Sequence, residues 1–382
     1  MEHRNRYRLA LSLFFFLSGI CFASWASRIP TIKTNFGFNE AELGTILLFM
    51  PISSLIGLPI SGWLVSKFDS RLPLATGFIM LSVALALIGF AGNTFMLVAS
   101  ICLLSFSFRI LHIAMNTQAI GLQKLFDRKI NGSFHGLWST GGIVGVGFST
   151  MLVAFHVDMK IHLSIIACVS LVTTMACYKF LINNDKSTAG NKLILTKPDP
   201  YIVYLGLLVF FAAICEGGMF DWCGIYFKEV VNEEIFTLGY LLFMICMATS
   251  RFASDFLMEK LGMPRTYILS SLLVALGILI AVLFPTFTPV LIGFCLTGFG
   301  TAAIIPMTFL LAGQSRKYSP GMAISIIATY SIVGMLIGPP LIGYVAHALN
   351  LRASFVIFAF AGLMIIPISQ LFFRHQRQLP SR

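Results

Sequence analysis

What this chain has least of is charge. Only 11% of its 382 residues are Asp, Glu, Lys or Arg, and just 15 are acidic, where a soluble globular chain carries about a quarter. The apolar share is 57%, Phe alone contributes 36 residues, and mean hydropathy is +0.89. So few charges cannot cover that much apolar side chain in water. The composition excludes a soluble multidomain protein and makes lipid the main solvent.

Other absences narrow the chemistry. The eight Cys form no C-x-x-C pair; seven fall in apolar spans and Cys223 sits near an outer helix end. They read as small apolar residues, not as a disulfide or zinc framework. No phosphate-binding G-x-x-x-x-G-K-[ST], H-E-x-x-H or G-x-S-x-G motif occurs, which speaks against an ATP-driven pump or an enzyme and implies no cofactor and no metal.

What is present is a series of apolar spans, near 9–30, 42–65, 73–91, 95–122, 133–155, 161–182, 201–222, 237–258, 267–284, 289–313, 322–345 and 353–373. Each is long enough for a membrane helix of about 20 residues. The pattern predicts an all-α membrane protein with twelve transmembrane helices. Loops on the side of the N-terminus hold 19 Lys and Arg, and the opposite loops hold 5. That asymmetry places both termini in the cytoplasm. It also explains the net charge of +11 as topology and contact with anionic lipid; no loop is long enough for a nucleic-acid-binding domain. Arg4 to Arg8, the apolar run after them and Phe22-Ala23-Ser24-Trp25-Ala26 imitate a secretory signal. With eleven more spans following, a retained first helix is the expected reading.

Asn183 to Pro200 is the longest segment without apolar character, with three Lys, two Asp and two Pro. It divides the chain into an N-terminal six-helix bundle (1–182), a cytoplasmic linker (183–200) and a C-terminal six-helix bundle (201–382). The halves echo each other. Trp25 and Gly44 recur as Trp222 and Gly239, Leu48-Phe49-Met50 as Leu242-Phe243-Met244, and Ser139 and Gly142 as Ser331 and Gly334, at offsets near 192–197. Two parallel six-helix repeats describe one transporter architecture in particular.

With Ala23-Ser24-Trp25-Ala26-Ser27-Arg28 and Pro30, Ala114-Met115-Asn116-Thr117-Gln118, Ser133-Phe134-His135-Gly136-Leu137, Glu216 through Trp222, and Gly338-Pro339-Pro340-Leu341-Ile342-Gly343, the chain resembles the major facilitator superfamily. Within it, the chain is similar to a bacterial branch of inner-membrane transporters with no firmly known substrate. The resemblance implies two pseudo-symmetric bundles, a central cavity lined by helices one, four, seven and ten, and a monomer. Two departures stand out. The family's loop after the second helix resembles G-x-x-x-D-R-x-G-R-R, but here Ser66 replaces the acid in Gly62 to Arg71. In the second half the acid survives as Glu259 while Asp255 replaces the leading Gly. A cytoplasmic latch built on Lys67, Arg71, Arg251, Asp255 and Glu259 is then weighted to the second half. Where the branch often carries an acid four residues before the Asn of helix four, this chain has His112.

The fourth span concentrates polar residues. Cys102, Ser105, Arg109, His112 and Asn116 fall on one narrow helical stripe. A charge as deep as Arg109 costs at least about 2.5–3.5 kcal/mol and must meet water or a partner. Arg109, His112 and Asn116 are therefore candidate substrate-binding residues for an anionic or hydroxylated solute, with Arg109 as the fork; a structural role is the alternative. Trp25 could stack on a substrate ring, and Thr301, with Thr297 and Thr308, could offer a hydroxyl to the cavity. Glu216 in the seventh span is the candidate proton-coupling carboxylate, or else a gate partner of Arg28. Asp221 reads as a gating or capping residue near the outer end of that helix. Arg251 and Asp255, four apart, are spaced for an intrahelical ion pair. Glycines at 141, 142, 145, 147, 334 and 338 mark equivalent places where helices approach or slide.

The expectation is a secondary transporter of the bacterial inner membrane. It would move a small polar solute by alternating access as a proton-coupled symporter, with protons and membrane lipids as its other partners. An exporter of amphipathic compounds and a non-transporting receptor on a transporter fold remain open alternatives.

Overall fold

A computed structural model describes residues 2–126, 130–183, 199–318 and 320–378. Of the expected linker, 184–198 lie outside the described residues. The described chain is helical without a strand: α1 (Glu2–Ala26), α2 (Ile29–Phe36), α3 (Glu40–Lys67), α4 (Arg71–Gly89), α5 (Thr94–Gln123), α6 (Asn131–Ala154), α7 (Met159–Cys177), α8 (Pro200–Glu229), α9 (Thr237–Leu261), α10 (Met263–Leu283), α11 (Phe287–Thr301), α12 (Ile304–Ala312), α13 (Pro320–Ala348), α14 (Leu351–Ser354) and α15 (Val356–Gln378).

The helices form because runs of Leu, Ile, Phe, Val and Ala satisfy their backbone internally, which lipid demands. They stop where local chemistry supplies a substitute. Asn93 accepts from Met96 N at 2.8 Å to open α5, Asp158 accepts from Lys160 N at 2.8 Å to open α7, and Pro200 opens α8. Gly37, with φ 67°, closes α2 in the left-handed conformation that its missing side chain permits. Eleven stretches among the described residues are long and apolar enough to cross a membrane. The expected eighth span is α9, whose apolar part is Thr237–Arg251. Two expected spans are broken: the first between α1 and α2, at Ser27-Arg28, and the tenth between α11 and α12, at Ala302-Ala303.

The chain groups into two compact units, Met1–Gly37 with Phe49–Lys192, and Phe38–Leu48 with Leu193–Arg382. In sequence, Phe38–Leu48 belongs to the first bundle; its contacts lie in the second unit, where Thr45 Oγ1 is 2.9 Å from the Tyr344 hydroxyl. In the first unit α6 runs along α1, and α4 packs on α5 and α7. In the second, α13 runs along α8, α11 along α9 and α10, and α15 along α8 and α10. Glycine makes the α1–α6 and α8–α13 approaches possible: a Cβ at Gly141 would strike Phe16 O, and one at Gly334 would lie 2.5 Å from Phe210 O.

Candidate functional site

In the first unit the polar stripe of α5 divides. Its outer part faces α3. Ser53 Oγ donates to Cys102 O at 2.7 Å, Ser105 Oγ donates to Met50 O at 2.6 Å, and Arg109 donates from Nε and Nη2 to Ser54 Oγ at 2.8 and 2.6 Å. Gly57 lets the Arg109 stem lie against the α3 backbone, since a Cβ there would stand 3.3 Å from Arg109 Cβ. Arg109 is half-buried, and among the described residues it has no carboxylate partner. Its Nη1 takes part in no hydrogen bond among them. One turn on, His112 is exposed. Asn116 donates from Nδ2 to His112 O at 2.6 Å. Arg109, His112 and Asn116 thus keep the single stripe read from the sequence, with His112 exposed and Arg109 and Asn116 half-buried.

Arg28 finds its partners within its own unit. It is 4% exposed at the α1–α2 break, where Nε donates to His162 Nδ1 at 3.0 Å and Nη2 to Val157 O at 2.9 Å. His162 Nε2 in turn faces Ser149 Oγ at 3.4 Å, so the imidazole accepts on one side and can donate on the other. The sequence reading missed His162; a polar residue four positions into an apolar helix was its only signal. Trp25 is 1% exposed and offers no surface for stacking. At the far end of α3, Lys67 stands 4.7 Å over the Trp63 ring. Arg71 donates to Asn183 Oδ1 at 2.8 Å and lies 4.0 Å over Tyr178. Together with Asp69 these two cations line a pocket of about 340 Å³.

In the second unit Glu216 Oε1 lies 2.8 Å from Arg251 Nη2, an ion pair joining α8 to α9. The spacing also permits an ion pair of Arg251 with Asp255, whose side chain lies outside the described residues. Asp221 is not at a helix end, because α8 continues to Glu229. Glu259 is exposed on the last turns of α9. Thr301 is fully buried and donates to Thr297 O at 3.1 Å, and Thr297 and Thr308 turn to their own helix in the same way. A Thr hydroxyl in lipid finds its nearest acceptor one turn back, so none of the three faces an open space. Ser250 Oγ donates to Phe299 O at 2.8 Å and Cys246 Sγ lies 2.7 Å from Cys295 Sγ, both across α9 and α11.

The two sets of contacts are related by the sequence repeat. Ser53 and Cys102 become Ser250 and Phe299 at an offset of 197, and the same offset carries Ser54, the partner of Arg109, onto Arg251, the partner of Glu216.

Such a molecule is a multi-pass helical membrane protein built on an internal repeat, with charged side chains held inside its spans. The sequence profile of the Major Facilitator Superfamily matches residues 11–265 and 231–382, and the chain belongs to that family of transporters. It is a membrane transport protein for a small-molecule substrate rather than an enzyme. It is 28% identical over 350 residues to an uncharacterized MFS-type transporter of Yersinia pestis, covering 91% of each chain. It is 27% identical over 374 residues to the membrane protein MosC of Rhizobium meliloti, covering 97% of this chain and 91% of that one. Among solved structures it is similar in fold to the nucleoside transporter NupG (TM-score 0.79, 14% identity, 98% of this chain and 100% of that chain). A bacterial homolog of the human lysosomal transporter Spinster, in an inward-facing and occupied conformation, is also similar (TM-score 0.79, 15% identity, 98% and 97%). At those identities the likeness extends to the fold alone.

Proposed function

We propose that this protein is a proton-coupled secondary transporter of a small anionic or hydroxylated solute, working by alternating access in the bacterial inner membrane with both termini cytoplasmic. The observation that carries the reading is Arg109: a guanidinium inside a membrane helix, braced by a neutral hydroxyl and without a carboxylate among the described residues. A charge so placed is expensive unless a ligand or water meets it, and its fork geometry suits a carboxylate or phosphate. His112 and Asn116, on the same stripe, supply hydrogen bonds for the rest of the solute. Lys67, Arg71 and Glu259 are the charges for a cytoplasmic latch. Arg28, locked to His162, serves as a fixed brace at the α1–α2 break. The protein acts as a monomer in contact with anionic lipid.

The test is a thermal-shift panel of small acids, neutral polyols and lipophilic cations on the purified protein and on Arg109→Ala, followed by flux into proteoliposomes. A ligand at 100 times its Kd adds about 2.7 kcal/mol to the folded state. Stabilisation by a small acid that disappears in Arg109→Ala, with flux lost alongside, is the expected result. Stabilisation only by lipophilic cations, unchanged by the substitution, would overturn it.

A further inference from the structure

Helix α8 is enclosed by its own unit on almost every side. Between Ala212 and Phe227 all residues are buried except Gly217, Asp221 and Gly224, which are half-buried. They are spaced four and three apart, which puts them on one stripe of the helix. Asp221 is thus the one chemically active side chain on the open face of this stretch, with a glycine one turn to either side leaving it room. Glu216, five residues earlier and about 140° round the helix, is off the stripe, buried and engaged by Arg251 at 2.8 Å.

Asp221 makes no hydrogen bond or ion pair among the described residues. It stands eight residues inside the end of α8 at Glu229, roughly 12 Å along the axis, so water at the helix end does not reach it directly. From α9, Tyr240 packs on the residue before it, Phe220. The Tyr240 hydroxyl is buried, with the residue 1% exposed, and has no partner among the described residues; its ring lies 6.0 Å from that of Phe220, next to Asp221 in the chain. On α8 itself the other titratable groups nearby are Cys215, Cys223, Tyr226 and, about two turns on along the same stripe, Lys228. Of the helices packed on α8, α9 also carries Cys246, Arg251, held by Glu216, and toward its end Asp255, Glu259 and Lys260; α11 brings only Cys295, and α12 brings none. Helix α13 brings Tyr330 beside Gly206 and, at its far end, Tyr344 and His347, while α15 carries its charges from Arg374 onward.

We infer that Asp221, and not Glu216, is the carboxyl group that reversibly binds the coupling proton. A carboxylate inside a membrane helix without a countercharge is relieved by taking up a proton; one held by an arginine is not, because protonation would break the ion pair. The open stripe gives Asp221 access to water, from which a proton can come and to which it can return. This inference names the coupling residue within the transport reading and rests on that reading for its consequence for flux.

The experiment labels the full-length protein in lipid vesicles with dicyclohexylcarbodiimide, a lipophilic reagent that adds to a protonated carboxyl group. The carboxyl proton passes to a carbodiimide nitrogen and the carboxyl oxygen bonds to its central carbon. Peptide mass spectrometry then locates the adduct. The expected result is an adduct on Asp221 that falls several-fold as pH is raised, persists in Asp221→Glu and disappears in Asp221→Asn, with Glu216 unmodified throughout. An adduct on Glu216 in its place, or none on Asp221 at any pH in folded wild-type protein, would overturn the inference. Loss of flux in Arg109→Ala without an Asp221 adduct removes this inference and leaves the anion site. An Asp221 adduct with flux indifferent to Arg109 keeps the inference and removes the anion site.

Discussion

The two repeat-related units solve the same problem, an arginine within a membrane helix, in opposite ways. In the first, Arg109 on α5 leans on Ser54 of α3 and keeps its charge. In the second, the position equivalent to Ser54 is itself an arginine, Arg251, and its charge is cancelled by Glu216 of the neighbouring α8. Around these centres the scaffold is conservative: Ser53 and Ser250, equivalent in sequence, make the same bond to a carbonyl on the adjacent parallel helix. The lesson is that the repeat preserves packing while allowing charge to migrate. A neutralised pair stabilises and positions; an arginine without a countercharge is available to a ligand.

The largest test of that contrast is to break the pair. Removing one member of a buried ion pair costs about 3–5 kcal/mol, and the discount for partial exposure brings the expectation here to about 2–3 kcal/mol, since the Arg251 and Glu216 side chains are 29% and 9% exposed. Arg251→Gln alone should therefore lower the melting temperature clearly, and Arg251→Gln with Glu216→Gln should recover much of it; a double mutant with an undiminished loss would show that the pair is not the unit of stability. The converse change gives the first unit the chemistry of the second. Ser54→Asp should pair with Arg109 and reduce uptake of a small acid at least about tenfold, the effect of roughly 1.4 kcal/mol, while leaving thermal stability unchanged or higher. Full uptake in that variant would place Arg109 outside the binding site.

Smaller effects probe the shared scaffold. Gly298→Val should destabilise the second unit by about 1–3 kcal/mol, because a Cβ there lies 2.5 Å from Phe243 O and 3.2 Å from Cys246 Cβ; unfolding monitored by tryptophan fluorescence would read it. Ser53→Ala and Ser250→Ala should each cost about 0.5–1.5 kcal/mol. The two losses should match if the hydrogen bonds are true equivalents, and a several-fold difference between them would break the correspondence.

Much of this was legible beforehand. The all-helical membrane fold, the two-part repeat and the family resemblance follow from apolar length and recurring Trp, Leu-Gly and Ser-Gly landmarks, because lipid permits so few backbone solutions. The α5 stripe was legible too, since helical spacing alone aligns Arg109, His112 and Asn116. Partners were not. Nothing in the spacing of the chain joins Arg28 to His162, 134 residues away, yet the two are hydrogen-bonded. Thr301 was expected on an open face and is buried, because one-dimensional spacing cannot say which face of a helix its neighbours cover. Asp221 was read as a helix-end residue because the apolar run was taken to stop at 222, whereas Tyr226 and Phe227 carry α8 on to Glu229.

What the sequence by itself determined is therefore the solvent, the approximate placing of the apolar spans and the spacing of polar groups along each, all of which follow from the period of the helix and the thickness of the bilayer. Only the tertiary structure decided which charges are cancelled and which are left open, because an ion pair or a buried face depends on the register of helices far apart in the chain. Arg109 with Ser54, Arg251 with Glu216 and Asp221 between its two glycines are the outcome of that register.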